Sequence, residues 1–154
     1  MEKLNNVAKN LYNMYFELHG TSMDEMKMHK LMYFAQRESL MLYNEPLFDG
    51  TFYGWKFGPV LKEVRTEFHD NDQPYATASD SVSDRSKVLL QSVMKRYGNL
   101  SSWKLSSLSH GEVSWKFSRR GLKTGQSGNN PLPLEAMTVD ALREASRRKT
   151  YGEA

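Results

Sequence analysis

Apolar side chains recur along the start of the chain at steps of three and four residues. Leu4, Val7, Leu11, Met14, Tyr15 and Leu18 make one helical stripe, and Gly20 closes it. Ser22-Met23-Asp24-Glu25 reads as a capping box. It predicts a second helix to about Tyr43, with Met28, Leu31, Met32, Ala35, Ser39 and Leu42 on one face. Tyr33 and Phe34 widen that face, so this helix is expected to be central, with several neighbours. Asn44 and Pro46 stop it.

The period then breaks at FYGWKFGP, residues 52–59, which sets four aromatic residues beside two glycines and a proline. Gly58-Pro59 reads as a helix start, because proline fits a first turn where its missing N–H costs nothing. Val60, Leu61, Val64 and Phe68 are the apolar face of the short helix it would open. Residues 70–82, rich in Asp, Ser and Asn, read as a mobile loop. A fourth helix begins at Ser83-Asp84, carries Val88, Leu89, Val93, Met94 and Tyr97, and ends at Gly98. Leu100, Trp103, Leu105 and Leu108 form a fifth, broken by His110-Gly111. Residues 118–131 are glycine-rich and basic and read as a loop. The last helix carries Val139 and Leu142 as inward residues.

No sustained alternation and no internal repeat is present. The expected fold is all-α, a compact single-domain bundle of about six helices, with a short β-hairpin near 47–57 as the alternative for the aromatic segment. The organisation is a helical core over 1–117, a flexible glycine-rich and basic loop over 118–133, and a C-terminal helix and tail over 134–154.

Composition narrows the function classes. A chain of 154 residues suggests one domain and buries about 68–70% of its unfolded surface. The absence of cysteine excludes disulfides, thiolate metal sites and a cysteine nucleophile. No run approaches the ~18 apolar residues of a membrane span. The N-terminal residues lack the continuous apolar stretch of a signal peptide. The expectation is a cytoplasmic chain with no membrane partner. The net charge of +3 is weak evidence for an acidic partner.

Chemistry is sparse. His29, His69 and His110 stand far apart and lack the H-E-x-x-H spacing of a zinc helix. Ser109-His110 adjacency makes no nucleophile–base pair, since the base must reach the hydroxyl in space. No phosphate-binding glycine loop occurs. The chain is therefore expected not to be an enzyme, with no catalytic, metal or cofactor residues. The candidate partner-binding residues are Phe52, Tyr53, Trp55, Lys56, Phe57, Trp115, Arg119 and Arg120. Within this set Trp55 and Phe57 are expected to staple the loop to the bundle, while Phe52 and Tyr53 are balanced between core and surface. The basic residues also admit nucleic acid as a lesser reading, with Trp115 and Phe117 as stacking groups.

Several motifs in one order resemble the signature of the Panacea-domain proteins, the SocA-like, phage-associated group. They are Lys30, Leu31, Tyr33, Ala35 and Gln36; then Pro46, Leu47 and Phe48; then Trp55, Lys56, Gly58, Pro59 and Val60; and finally Leu108, Ser109, His110, Ser114 and Trp115. The resemblance covers roughly residues 4–117. It implies a helical domain that serves as the antitoxin half of a toxin–antitoxin pair, often prophage-borne, and neutralises a toxin encoded nearby by direct contact. A branch of the group implies an alternative, a proteolytic adaptor that hands the toxin to a Clp-type protease. A nucleic-acid-binding prophage regulator is a further alternative. Lys30, Leu31, Tyr33, Ala35, Gln36, Pro46, Gly58, Pro59 and His110 are read as structural, with Lys30 and Gln36 snorkelling or bonding to loop carbonyls.

Overall fold

The computed structural model describes residues 1–152. Among them are seven helices: α1 (Leu4–His19), α2 (Glu25–Tyr43), α3 (Lys62–Asp70), α4 (Asp84–Tyr97), α5 (Ser102–His110), α6 (Val113–Ser118) and α7 (Leu134–Thr150). One antiparallel hairpin, β1 (Phe52–Trp55) with β2 (Gly58–Leu61), lies between α2 and α3. None of these helices is long and apolar enough to cross a membrane. The fold is helical, as expected, with the hairpin alternative realised.

Local signals set most helix ends. Gly20 closes α1 in the left-handed region at φ 72°. Asp24, rather than Ser22, caps α2 by accepting the Lys27 amide at 2.8 Å. Ser83 and Ser101 cap α4 and α5 by accepting the amides of Ser86 and Lys104.

α2 is the axis of the molecule. Every residue from Lys27 to Leu40 is buried, and α1, α3, α4, α5, α7 and β2 all pack on it. Met28, Leu31, Met32, Phe34 and Ala35 form the centre of the core. Gln36 works as a splint for the turn that follows. Its amide donates to the Phe48 carbonyl at 2.9 Å, and its carbonyl accepts the Leu47 and Phe48 amides at 2.8 and 3.2 Å. Pro46-Leu47-Phe48 is thereby seated against the core.

Three expectations are corrected by the structure. Gly58-Pro59 does not start a helix. Gly58 sits at φ 124°, a region closed to side chains, and turns the chain back as β2, so the helix begins only at Lys62. Pro59 pairs with Gly54, whose amide bonds outward to Asn130 at 2.9 Å, so no ladder donor is required of the proline. Second, α6 occupies the region read as the end of the core and a loop. Asp140 of α7 makes it possible, accepting the Val113 and Ser114 amides at 2.6 and 3.0 Å and capping α6 from another element. Third, Val139 and Leu142 do not face inward but are exposed, and α7 buries Met137, Asp140, Ala141, Glu144 and Arg148 instead.

That inward face is polar because α2 offers charges to it. Arg148 donates to both oxygens of Glu38 at 2.8 Å and, through Nε, to Glu144 at 2.8 Å. Arg37 reaches Glu112 at 2.5 Å and the Tyr97 hydroxyl at 2.6 Å. The Tyr33 hydroxyl lies 3.0 Å from Glu112 and 3.1 Å from Asp140 and Ser114. Burial pushes the Glu112 carboxyl up to about 7, against the opposing pull of Arg37.

The 70–82 segment is a loop, but it is tied down. Tyr75 is buried at φ 64°, with its carbonyl accepting from Lys9 at 2.7 Å and its amide donating to Glu67 at 2.9 Å. Asn10 and Asn6 of α1 donate to the Asp80 and Ser81 carbonyls.

Candidate partner-binding surface

Period two sorts the aromatic segment. In β1, Phe52 and Gly54 point inward, while Tyr53 and Trp55 point outward and are half-buried. Phe52 is 1% exposed and packs edge-on against Tyr33 at 5.6 Å, with Phe48 6.1 Å away. It is a core residue and is not available to a partner, which corrects its place among the candidates. The staple role expected of Phe57 is also corrected. Phe57 stands in the turn between the strands and is 43% exposed. It meets the 66% exposed Trp103 of α5 at 5.6 Å in a T-shaped pair. Trp103 was legible only as one more apolar residue of a short helix; its outward direction depends on how α5 docks.

The hairpin is gripped from behind. A Cβ on Gly54 would overlap Ser118 Oγ, so α6 approaches the strand at a glycine. The Trp115 indole N–H donates to the Trp55 carbonyl at 2.8 Å, and its ring stacks on His110 at 4.1 Å. Arg119 is only 7% exposed. It donates to the Gly54 carbonyl at 3.0 Å and to the carbonyls of Lys123 and Gln126. It is an internal clasp, and this burial removes it from the partner candidates. Arg119 and the Phe52 carbonyl, which accepts the Leu132 amide at 2.8 Å, stitch parts of the 118–133 loop to the hairpin. Arg120 remains exposed, with its guanidinium 3.9 Å from the Phe117 ring.

Lys30 lies beneath the turn and is 1% exposed. Its ammonium occupies the space a Gly58 side chain would need, with Ser109 Oγ 2.6 Å from the same point. Burial lowers its pKa to about 8. Below pH 8 the folded and unfolded chains both carry this proton, and the buried charge weighs against folding. Between about 8 and 10.5 the unfolded chain alone still holds it, so stability rises with pH in that window. Lys30→Met is expected to raise stability at pH 7 and to flatten the rise, read by urea titrations at pH 7, 8, 9 and 10. A variant whose profile parallels the wild type would contradict this assignment.

In front of the hairpin, Trp55, Lys56, Lys62, Arg65, His69 and Asp70 line a groove of about 660 Å³, closed on one side by residues 127–129. The Trp55 indole donates to Asn129 at 3.2 Å, and the Arg65 guanidinium lies 5.2 Å from its ring. Lys62 sits 4.0 Å over Tyr53, and Lys56 lies 5.2 Å from Phe57. Rigid half-exposed rings beside fixed cations are the composition of a protein-binding surface. Of the candidates, Trp55 and Lys56 line the groove, Tyr53 lies beside it under Lys62, and Phe57 stands at the turn against Trp103. Among the described residues, no three His, Asp or Glu side chains are placed to hold a metal ion.

Residues 28–116 match the family model described as "Antitoxin SocA-like, Panacea domain", more than half of the chain. The chain belongs to this SocA-like Panacea-domain antitoxin family. No curated protein and no solved structure matches it. The Panacea match takes in most of α2, the hairpin, α3, α4, α5 and part of α6. It therefore includes the hairpin, α3 and Trp103, whereas residues 127–129 and α7 lie beyond it.

Proposed function

We propose that this chain is the antitoxin of a toxin–antitoxin pair, often prophage-borne in this family, and acts in the cytoplasm by covering a toxin encoded nearby. No bond is made or broken. The observation that supports this reading, beside family membership, is the hairpin turn. It holds Trp55 and Phe57 half-exposed on a frame fixed by Trp115 and Arg119. Such preformed aromatic anchors bind without a large ordering cost. A masking interface of this kind removes about 1,200–2,000 Å² from water, an extent that the groove and the Phe57–Trp103 pair together begin to supply.

The test is co-expression of the neighbouring gene. That product is expected to arrest growth alone, and this chain is expected to restore growth and to co-purify with it. Rescue without a stable complex, dependent on a Clp-type protease, would support the adaptor reading instead.

A further inference from the structure

We propose that the groove beside Trp55 receives an acidic segment of the protein partner, with carboxylates meeting Lys56 and Lys62. This rests on the antitoxin reading and adds the chemistry of the docked surface.

The cations of the groove are unequally satisfied. Glu25 of α2 lies 3.4 Å from Arg65 and 3.8 Å from His69. Asp70 is the one acid on the lining. Lys56 and Lys62 have no ion pair among the described residues. Their ammonium groups are held instead over the Phe57 and Tyr53 rings. These rings orient the two charges without neutralising them, so an arriving carboxylate meets cations already placed. A basic partner segment would be repelled at the same positions. The volume of about 660 Å³ lies within the range of clefts that enclose a small ligand or a few side chains.

The same geometry disfavours a polynucleotide. Single strands bind by stacking bases on open aromatic faces. Here Arg65 lies over Trp55 and Lys62 over Tyr53, and the Trp55 edge is bonded to Asn129. The cations take the ring faces, so the groove presents charge for carboxylates and little platform for bases.

The experiment measures affinity for the purified neighbouring gene product, carrying an inactivating substitution, at two salt concentrations. The double variant Lys56→Glu/Lys62→Glu is expected to bind about 100-fold more weakly. The neutral pair Lys56→Gln/Lys62→Gln is expected to lose about 10-fold. A Lys95→Glu/Lys149→Glu control, equal in charge change and placed on exposed positions of α4 and α7, is expected to stay within about threefold. Thermal melts check that each variant folds, and the neutral pair serves if the reversed pair does not. Groove variants that bind like the wild type would overturn the acidic-segment proposal while leaving the antitoxin reading intact. A wild-type chain that forms no complex would overturn both. Tight wild-type binding to a dT20 oligonucleotide, lost in the groove variants while the protein complex persists, would make the groove a nucleic-acid site.

Discussion

Arg148→Ala is expected to destabilise the fold by about 3–5 kcal/mol. Arg148 is 4% exposed and Glu38 is 3% exposed. The two guanidinium Nη atoms meet both Glu38 oxygens at 2.8 Å, and Nε meets Glu144 at 2.8 Å. Burial opposes the charged guanidinium, but the hydrogen bonds it donates to Glu38 and then Glu144 outweigh it and hold the group above its ordinary pKa. Removing the arginine strands the Glu38 carboxylate in the core, which is the costly half of breaking a buried pair. Arg148→Met combined with Glu38→Leu is therefore expected to recover much of the loss. Guanidinium denaturation of the wild type and the two variants measures this. A loss under about 1 kcal/mol for Arg148→Ala would place the pair in the energetic class of a solvated surface bridge. The consequence reaches beyond one residue: α7, outside the matched domain, is locked to α2 by this contact.

The second large effect separates the two faces of the hairpin. Phe52→Ala is expected to cost about 3–5 kcal/mol, the cavity cost of a buried aromatic ring. Its ring, 1% exposed, packs against both Tyr33 and Phe48 under the strand. Trp55→Ala, three residues on and so on the opposite face, removes a half-exposed ring that packs on Arg65 and Asn129. It is expected to cost under about 2 kcal/mol of stability and to weaken the partner complex strongly. Denaturant midpoints and complex affinity, measured for both variants, read the two effects apart. A stable Phe52→Ala chain, or a Trp55→Ala chain that fails to fold, would mean that the outward and inward faces of β1 are assigned the wrong way round.

The parts of the fold that the sequence made legible are those whose causes are local. Gly20, Asp24, Ser83 and Ser101 end or open helices through bonds to residues one to four positions away. The apolar face of α2, widened by Tyr33 and Phe34, marked it as central, and it is. The failures have distant causes. α6 exists because Asp140, more than twenty residues downstream, caps it. The inward face of α7 is charged, so an apolar stripe selects the wrong side. The turn at Lys56-Phe57 lacks the Asn-Gly signal of a tight hairpin, and Gly58-Pro59 fits a helix start as well as a strand.

The candidate surface was half legible for the same reason. Aromatic density flagged residues 52–57. Which ring faces the core depends on strand register, and register depends on α6 and the 130–132 segment behind the hairpin. Arg119 looked like a loop cation because its carbonyl partners form only when that loop folds back on it. Trp103, never singled out, becomes the most exposed of the three tryptophans once α5 is docked.

The most direct measurement is a titration of the purified toxin's own activity with this chain, in a mixture containing no protease. Neutralisation by covering predicts that activity falls linearly to a sharp end point at a fixed small-integer ratio, and that the two chains elute together. Undiminished toxin activity in the presence of excess chain would contradict it.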